Sequence, residues 1–153
     1  MFEYQYPRPA LTADCLLFSH NASGAPTLLL IRRGGEPFAG HWALPGGFVN
    51  PNETSKAAAA RELTEETGVT IEEEVLTLVG IFDKPGRDPR GWTVSAAYST
   101  TVDGEPRAQG ADDAAEARWM PIDQVKELMQ SNGLAFDHRD IIADTLRLKG
   151  LSQ

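Results

Sequence analysis

Apolar residues in this chain fall into short runs of strand length, bounded by Gly, Pro, Asn and Asp and interrupted by three stretches of helical character. ALTADCLLFSH at 10–20 predicts a strand, NASGAP at 21–26 supplies turn residues, and TLLLIR from Thr27 to Arg32 predicts a second buried strand, so the pair reads as a hairpin. Arg32, Arg33, Gly34 and Gly35 are expected to leave that strand as a mobile, basic loop. FAGHWALPGG, Phe38 to Gly47, predicts a short aromatic-bearing strand running into a glycine pair. Val75–Phe82 and Trp92–Thr101 predict strands either side of the loop DKPGRDPRG. Residues 103–115 read as a polar, acidic loop and Glu116–Met120 as a short strand. Pro121 suits the first turn of a helix running to about Met129. Asp137 is placed to cap a last helix over 138–149, with Ile141, Ile142, Leu146 and Leu148 near helical spacing. The order lacks the regular βαβ rhythm of a doubly wound sheet. An α/β fold with a mixed sheet and helices on both faces is expected.

One helical stretch carries more than packing information. Thr54 or Asn52 supplies an N-cap, four consecutive alanines favour helix, and Gly68 stands where a helix ends in the left-handed conformation. At about 100° per residue, Glu62, Glu65 and Glu66 share one stripe, while Ala59, Ala60, Leu63 and Thr67 share the inward face, with Ala58 beneath the acids. Like charges one turn apart oppose the helix by about 0.2–0.5 kcal/mol per pair. Such a stripe is either a solvated acidic face or a site for a hard divalent cation, which prefers oxygen ligands.

The glycines, the arginine and the spacing favour the second reading. Gly47, Glu53, Arg61, Glu62, Leu63, Glu65, Glu66, Gly68 and Val69 fit the pattern G-x5-E-x7-R-E-U-x-E-E-x-G-U without a mismatch, U being aliphatic. The chain therefore resembles the Nudix hydrolases. That resemblance implies an α/β/α sandwich with the box as loop–helix–loop, and Mg²⁺-dependent attack of water on a diphosphate, with Mn²⁺ a possible substitute. It also implies metal ligation by Glu62, Glu65, Glu66 and the Gly46 carbonyl. Glu53 and Arg61 are expected to brace the loop by pairing with each other. The general base stays open among Glu62, Asp112, Asp113 and Glu116; Glu62, Glu65 and Glu116 are carried as the catalytic set.

Substrate contacts are read from residues outside the box. Arg32 and Arg33, and Arg87 and Arg90 in the later loop, are candidates for the diphosphate or a terminal ribose. Phe38 and Trp42 either stack on substrate or fill the core, and His41 is assigned no role. Pro85 lies 16 residues beyond Val69, the spacing that marks the ADP-ribose pyrophosphatase branch of the family. DKPGRDPRGW, ADDAAEARW and LAFDHRDII resemble that branch and also a branch of ADP-ribose-sensing regulators. The alternatives are thus a hydrolase of nucleoside triphosphates or other dinucleotides and, in another class, a non-catalytic sensor. The sensor is disfavoured because the chain stops at Gln153, without room for the winged helix of the regulators, and keeps every box acid.

Composition narrows the setting. At 153 residues a single domain over 1–153 is expected. The net charge of −8 disfavours nucleic acid as a partner. No apolar run approaches a membrane span, and MFEYQYPRPA lacks the basic and apolar regions of a secretory signal. The single cysteine, Cys15, sits in an apolar run and reads as a buried small residue. A cytoplasmic enzyme acting on a small nucleotide-sugar or nucleotide, possible as a homodimer, is the expectation.

Overall fold

Ala10–His20 (β1) is buried continuously from Thr12 to Ser19, the burial pattern of a strand covered on both faces. In the computed structural model, which describes residues 3–152, β1 is the centre of a seven-stranded mixed sheet. The readings that touch Met1, Phe2 and Gln153 lie outside the described residues. Pro26–Arg33 (β2) pairs antiparallel along one edge with β1 and, further on, with Trp42–Ala43 (β3), and along its other edge with Ala114–Pro121 (β7). Gly46–Phe48 (β4) pairs antiparallel with β1. Beyond β1 the sheet continues through Thr93–Thr101 (β6), which runs parallel to β1 from Ala10↔Thr93 to Phe18↔Thr101, and then Thr77–Phe82 (β5), antiparallel to β6.

Alternation along β1 and β2 sends side chains to two cores. Leu16, Phe18, Leu28 and Leu30 pack under Ile122–Gln130 (α2) and His138–Leu148 (α3), against Val125, Ile141, Ile142 and Leu146. Ala13, Cys15, Leu17 and Leu29 pack on the other face under Ser55–Thr67 (α1), against Ala58, Ala59 and Leu63. The result is an α/β/α sandwich. Cys15 is one of these core residues, and burial pushes its thiol up to about 12. Among the described residues no helix is long and apolar enough to cross a membrane.

Helix α1 starts and stops on local chemistry. The Thr54 hydroxyl accepts from the Ala57 N–H, and Gly68 ends the helix at φ 77°. The four alanines let α1 lie close to the sheet; Ala58 and Ala59 are buried, whereas Ala60 is only half-buried.

Several boundaries differ from the sequence reading. Arg32 and Arg33 belong to β2 rather than to a loop, because β7 supplies a partner for both, with a bulge between them. The stretch 38–47 is broken into β3 and the start of β4: Phe38 and Gly40 have positive φ, and Pro45 lacks an N–H for continuous pairing. Residues 73–75 form a 3-10 turn ahead of β5. Strand β7 begins two residues before Glu116, and Pro121 caps α2 instead of entering it. Asp137 stands at the start of α3 without a side-chain cap bond, since its carboxylate is bound to Arg87.

Leu63 is fully buried at the contact between α1 and the sheet. Leu63→Ala is expected to lower unfolding stability by about 2–5 kcal/mol, read as a drop in the midpoint of a denaturant titration. An unchanged midpoint would show that α1 does not depend on this core.

Candidate active site

The turn from β3 into β4 brings the glycine pair beneath α1. The Gly46 N–H donates to the Glu66 carboxylate at 2.7 Å. A Cβ at Gly46 would collide with the Ala13 carbonyl and the Asp14 carboxylate, and one at Gly47 would meet the Glu62 carboxylate at 2.7–2.8 Å. At Gly46 only glycine fits against the backbone of β1, and at Gly47 a side chain would displace the Glu62 carboxylate.

The three stripe acids do not share one environment. Glu66 is 7% exposed, Glu62 is half-buried and Glu65 is exposed. Arg61 holds Glu53 through Nε at 2.7 Å and Nη2 at 2.9 Å, Glu62 through Nη1 at 2.7 Å and Glu65 through Nη1 at 3.1 Å, and donates to the Phe48 carbonyl at 3.1 Å. Glu53 thus braces the loop through Arg61, whose hydrogen bond holds the Glu53 carboxyl below its ordinary value. Burial pushes Glu62 up, opposed by Arg61. Glu66 has no such cation: burial, with the charges of Glu62 and Asp14, pushes it up to about 8 against the pull of the Gly46 N–H.

Glu66 faces a small cavity of about 50 Å³ lined also by Asp14, Gly46, Gly47, Arg33, Arg87, Asp88, Arg90, Phe136 and His138. It shares Arg87 and Phe136 with a larger neighbour of about 470 Å³, whose walls include Phe38, Lys84, Pro85, Leu134 and Arg139. Carboxylates and guanidiniums therefore line the same space. Arg33 feels Glu66, Asp113 and Asp88, and Arg90 is bound to Asp88 at 2.8 Å. Asp112 is near enough for its charge to raise Glu62.

Other candidate residues are placed elsewhere. Glu116 pairs with Arg32 across β2 and β7 at 3.4 Å and with Arg118 at 3.0 Å, and these arginines hold its carboxyl low. Trp42 lies against Arg118, whose guanidinium is 5.0 Å from the ring. None of Arg32, Trp42 and Glu116 lines the Glu66 cavity, because the register Arg32↔Glu116 turns them to a separate surface. Arg87 does line it, but its guanidinium is committed. It grips Asp137 bidentately at 2.9 and 2.7 Å and donates to Thr93 at 2.9 Å, with its side chain 4% exposed. Arg87 is a strut between the 83–92 loop and α3, not a free hand for substrate.

Sequence reading missed Asp14, Phe136 and His138. Asp14 accepts from the Ser95 hydroxyl, and its Oδ1 lies 3.6 Å from His138 Nε2. His138 Nδ1 in turn accepts from the Leu44 N–H at 3.0 Å, and burial keeps this imidazole below its usual value. A charged residue in the middle of an otherwise apolar strand was the available signal for Asp14.

The chemistry of the donors fits a hard divalent cation. Glu66 is a buried carboxylate with no arginine hydrogen-bonded to it among the described residues, next to Glu62 and Asp14, and Arg33 acts on it only through its charge. No three His, Cys, Asp or Glu side chains among the described residues already converge as a cage, since Arg61 holds Glu62 and Glu65.

A family model for the NUDIX domain matches residues 8–145. The chain belongs to the NUDIX domain family. It is 39% identical over 144 residues to an ADP-ribose pyrophosphatase of Methanocaldococcus jannaschii, spanning 94% of this chain and 77% of that one. It is 35% identical to an ADPR-responsive transcriptional repressor, NtrR, of Acinetobacter baylyi, covering 90% of this chain but only 53% of the repressor. Among solved Nudix structures, the NUDIX domain of Shewanella oneidensis NrtR complexed with ADP ribose superposes with a TM-score of 0.81 at 28% identity, covering 93% of this chain and 89% of that one.

In this Nudix protein, metal-free Glu66 binds its proton more tightly folded than unfolded. The native state then holds more protons than the unfolded state from about pH 4.5 to about 8, so stability falls as pH rises through that window. Glu66→Gln should remove the loss. In EDTA the variant is expected to exceed wild type by roughly a few kcal/mol above pH 8, the gap closing toward pH 4.5. Parallel melting curves at all pH values would place Glu66 in water.

Proposed function

We propose that this protein is a cytoplasmic hydrolase that converts ADP-ribose to AMP and ribose 5-phosphate, with Mg²⁺ held by Glu62, Glu65, Glu66 and the Gly46 carbonyl, Mn²⁺ substituting. The observation that carries this reading is a cavity lined by both charges. The buried carboxylate of Glu66 and the guanidiniums of Arg33 and Arg90 line one space between α1, the glycine pair and the 83–92 loop. That combination suits a diphosphate, which needs cationic partners on its outer oxygens and a metal held by carboxylates. The 39% identity to an archaeal ADP-ribose pyrophosphatase supports the substrate.

When bound, the cation polarises the phosphorus–oxygen bonds and neutralises charge in the transition state. The chain's own residues then do three things. Arg33 and Arg90 contact the phosphate oxygens. Glu62, half-buried and raised by burial, accepts the proton of the attacking water, with Asp112 behind it. Arg61, braced by Glu53, holds the side chains of Glu62 and Glu65 on α1. Water adds to one phosphorus, the P–O–P bridge breaks, and the departing phosphate keeps the electron pair. The adjoining space, bounded by Pro85 and Phe38, takes the remainder of the substrate.

A second reading, an ADP-ribose sensor, is favoured by the likeness to the repressor, of which this chain spans about half. Turnover separates the two. With Mg²⁺ and a panel of ADP-ribose, other dinucleotides and nucleoside triphosphates, kcat/KM for ADP-ribose is expected to exceed the others by at least about tenfold. Glu66→Gln should fold and lose turnover by orders of magnitude. Tight ADP-ribose binding with no AMP formed at any Mg²⁺ or Mn²⁺ concentration would replace the hydrolase with the sensor.

A further inference from the structure

Phe136 has φ +54°, a conformation that a bulky side chain rarely adopts. The ring so placed has neighbours from four parts of the chain. Phe38 meets it edge-on at 4.9 Å and His138 lies tilted at 5.4 Å. Two guanidiniums also face it, Arg33 at 5.0 Å and Arg90 at 5.4 Å from the ring centroid, both within the range of cation–π attraction. One arginine ends β2 and the other lies in the 83–92 loop, so nothing local brings them together.

Their closeness is unfavourable by itself. Burial, and then the charge of Arg90, lowers the pKa of Arg33. Arg90 is offset by Asp88. Arg33 donates through Nε to the Pro37 carbonyl at 2.7 Å, and its two terminal nitrogens have no hydrogen-bond partner among the described residues. The ring that gathers the two cations is also a shared wall of the Glu66 cavity and its larger neighbour.

We propose that Phe136 is the positioning residue of a diphosphate clamp, its ring holding Arg33 and Arg90 side by side at the Glu66 cavity so that both guanidiniums meet one diphosphate. The inference rests on reading this cavity as a diphosphate-hydrolysing site and adds the residue that sets the cationic half. Prepositioning two forked donors lowers the ordering cost of binding and puts the phosphorus in one place relative to Glu62 and Glu66. The ring is itself held in place by packing against Ile31, Ala43, Ala114 and Ala135.

The test is calorimetric titration of the full chain with inorganic pyrophosphate at a fixed excess of Mg²⁺, beside ADP-ribose turnover. Phe136→Leu is expected to weaken pyrophosphate about tenfold and to raise KM more than it lowers kcat. Phe136→Tyr should stay within about twofold of wild type. Phe136→Asn removes the ring while accepting the left-handed backbone, so it should bind as weakly as Phe136→Leu although the two differ in backbone strain. In an Arg33→Ala, Arg90→Ala background, Phe136→Leu should have no further effect. Wild-type affinity in Phe136→Leu, no pyrophosphate binding by wild type, or an equal loss in the arginine-free background would each overturn the clamp. Ring-dependent pyrophosphate binding without ADP-ribose turnover would sustain the clamp and remove only the proposed substrate.

Discussion

A carboxyl group taken out of water with no cation bonded to it is the constraint around which this structure is arranged. Glu66 is covered by the sheet, receives one backbone N–H from Gly46, and has Asp14 and Glu62 as like-charged neighbours. Burial of an unpaired charge is unfavourable unless something compensates it. Protonation compensates in the metal-free protein, and a dication would do so in the loaded one. The glycine pair and the alanine face of α1 follow from the same constraint, because side chains there would push helix and strand apart.

The remaining charges are partitioned so that this carboxyl stays exceptional. Arg61 collects Glu53, Glu62 and Glu65 on the outer side of α1. Arg32 and Arg118 bind Glu116 on another surface. Arg87 is used up by Asp137 and Thr93, fixing the 83–92 loop to α3. Arg33 and Arg90, the latter held by Asp88, are the more open cations beside the Glu66 cavity. A protein with a net charge of −8 thereby offers a local cationic wall to an anionic ligand without a basic surface at large.

How much of this could be read from the chain depended on whether the determining contact was local. Helix α1 was legible from end to end because Thr54, the alanines and Gly68 act within a turn or two of themselves. Box spacing gave the acids, since helical period puts Glu62, Glu65 and Glu66 on one side. It could not say that Glu66 alone turns under the sheet, which depends on where β4 passes. Arg32 looked like a loop residue because its partner strand lies far along the sequence. Asp137 looked like a helix cap because capping is local, whereas Arg87, 50 residues away, wins its carboxylate. Phe136 sat in an apparent break, and nothing local marks its ring as the neighbour of two arginines from distant segments.

The parallel pairing of β1 with β6 bears on how the molecule is assembled. Strands β2 and β4 reach β1 from nearby segments, but the other flank of β1 is completed only by Thr93–Thr101. During synthesis, a nascent chain can close the first hairpin early while one flank of its most buried strand stays uncovered until the far half has emerged. Long-range closure of this kind slows folding and leaves a bare ladder of N–H and C=O groups in the interim. The strand at the centre of the finished sheet thus stays open along one flank until residues 93–101 are available.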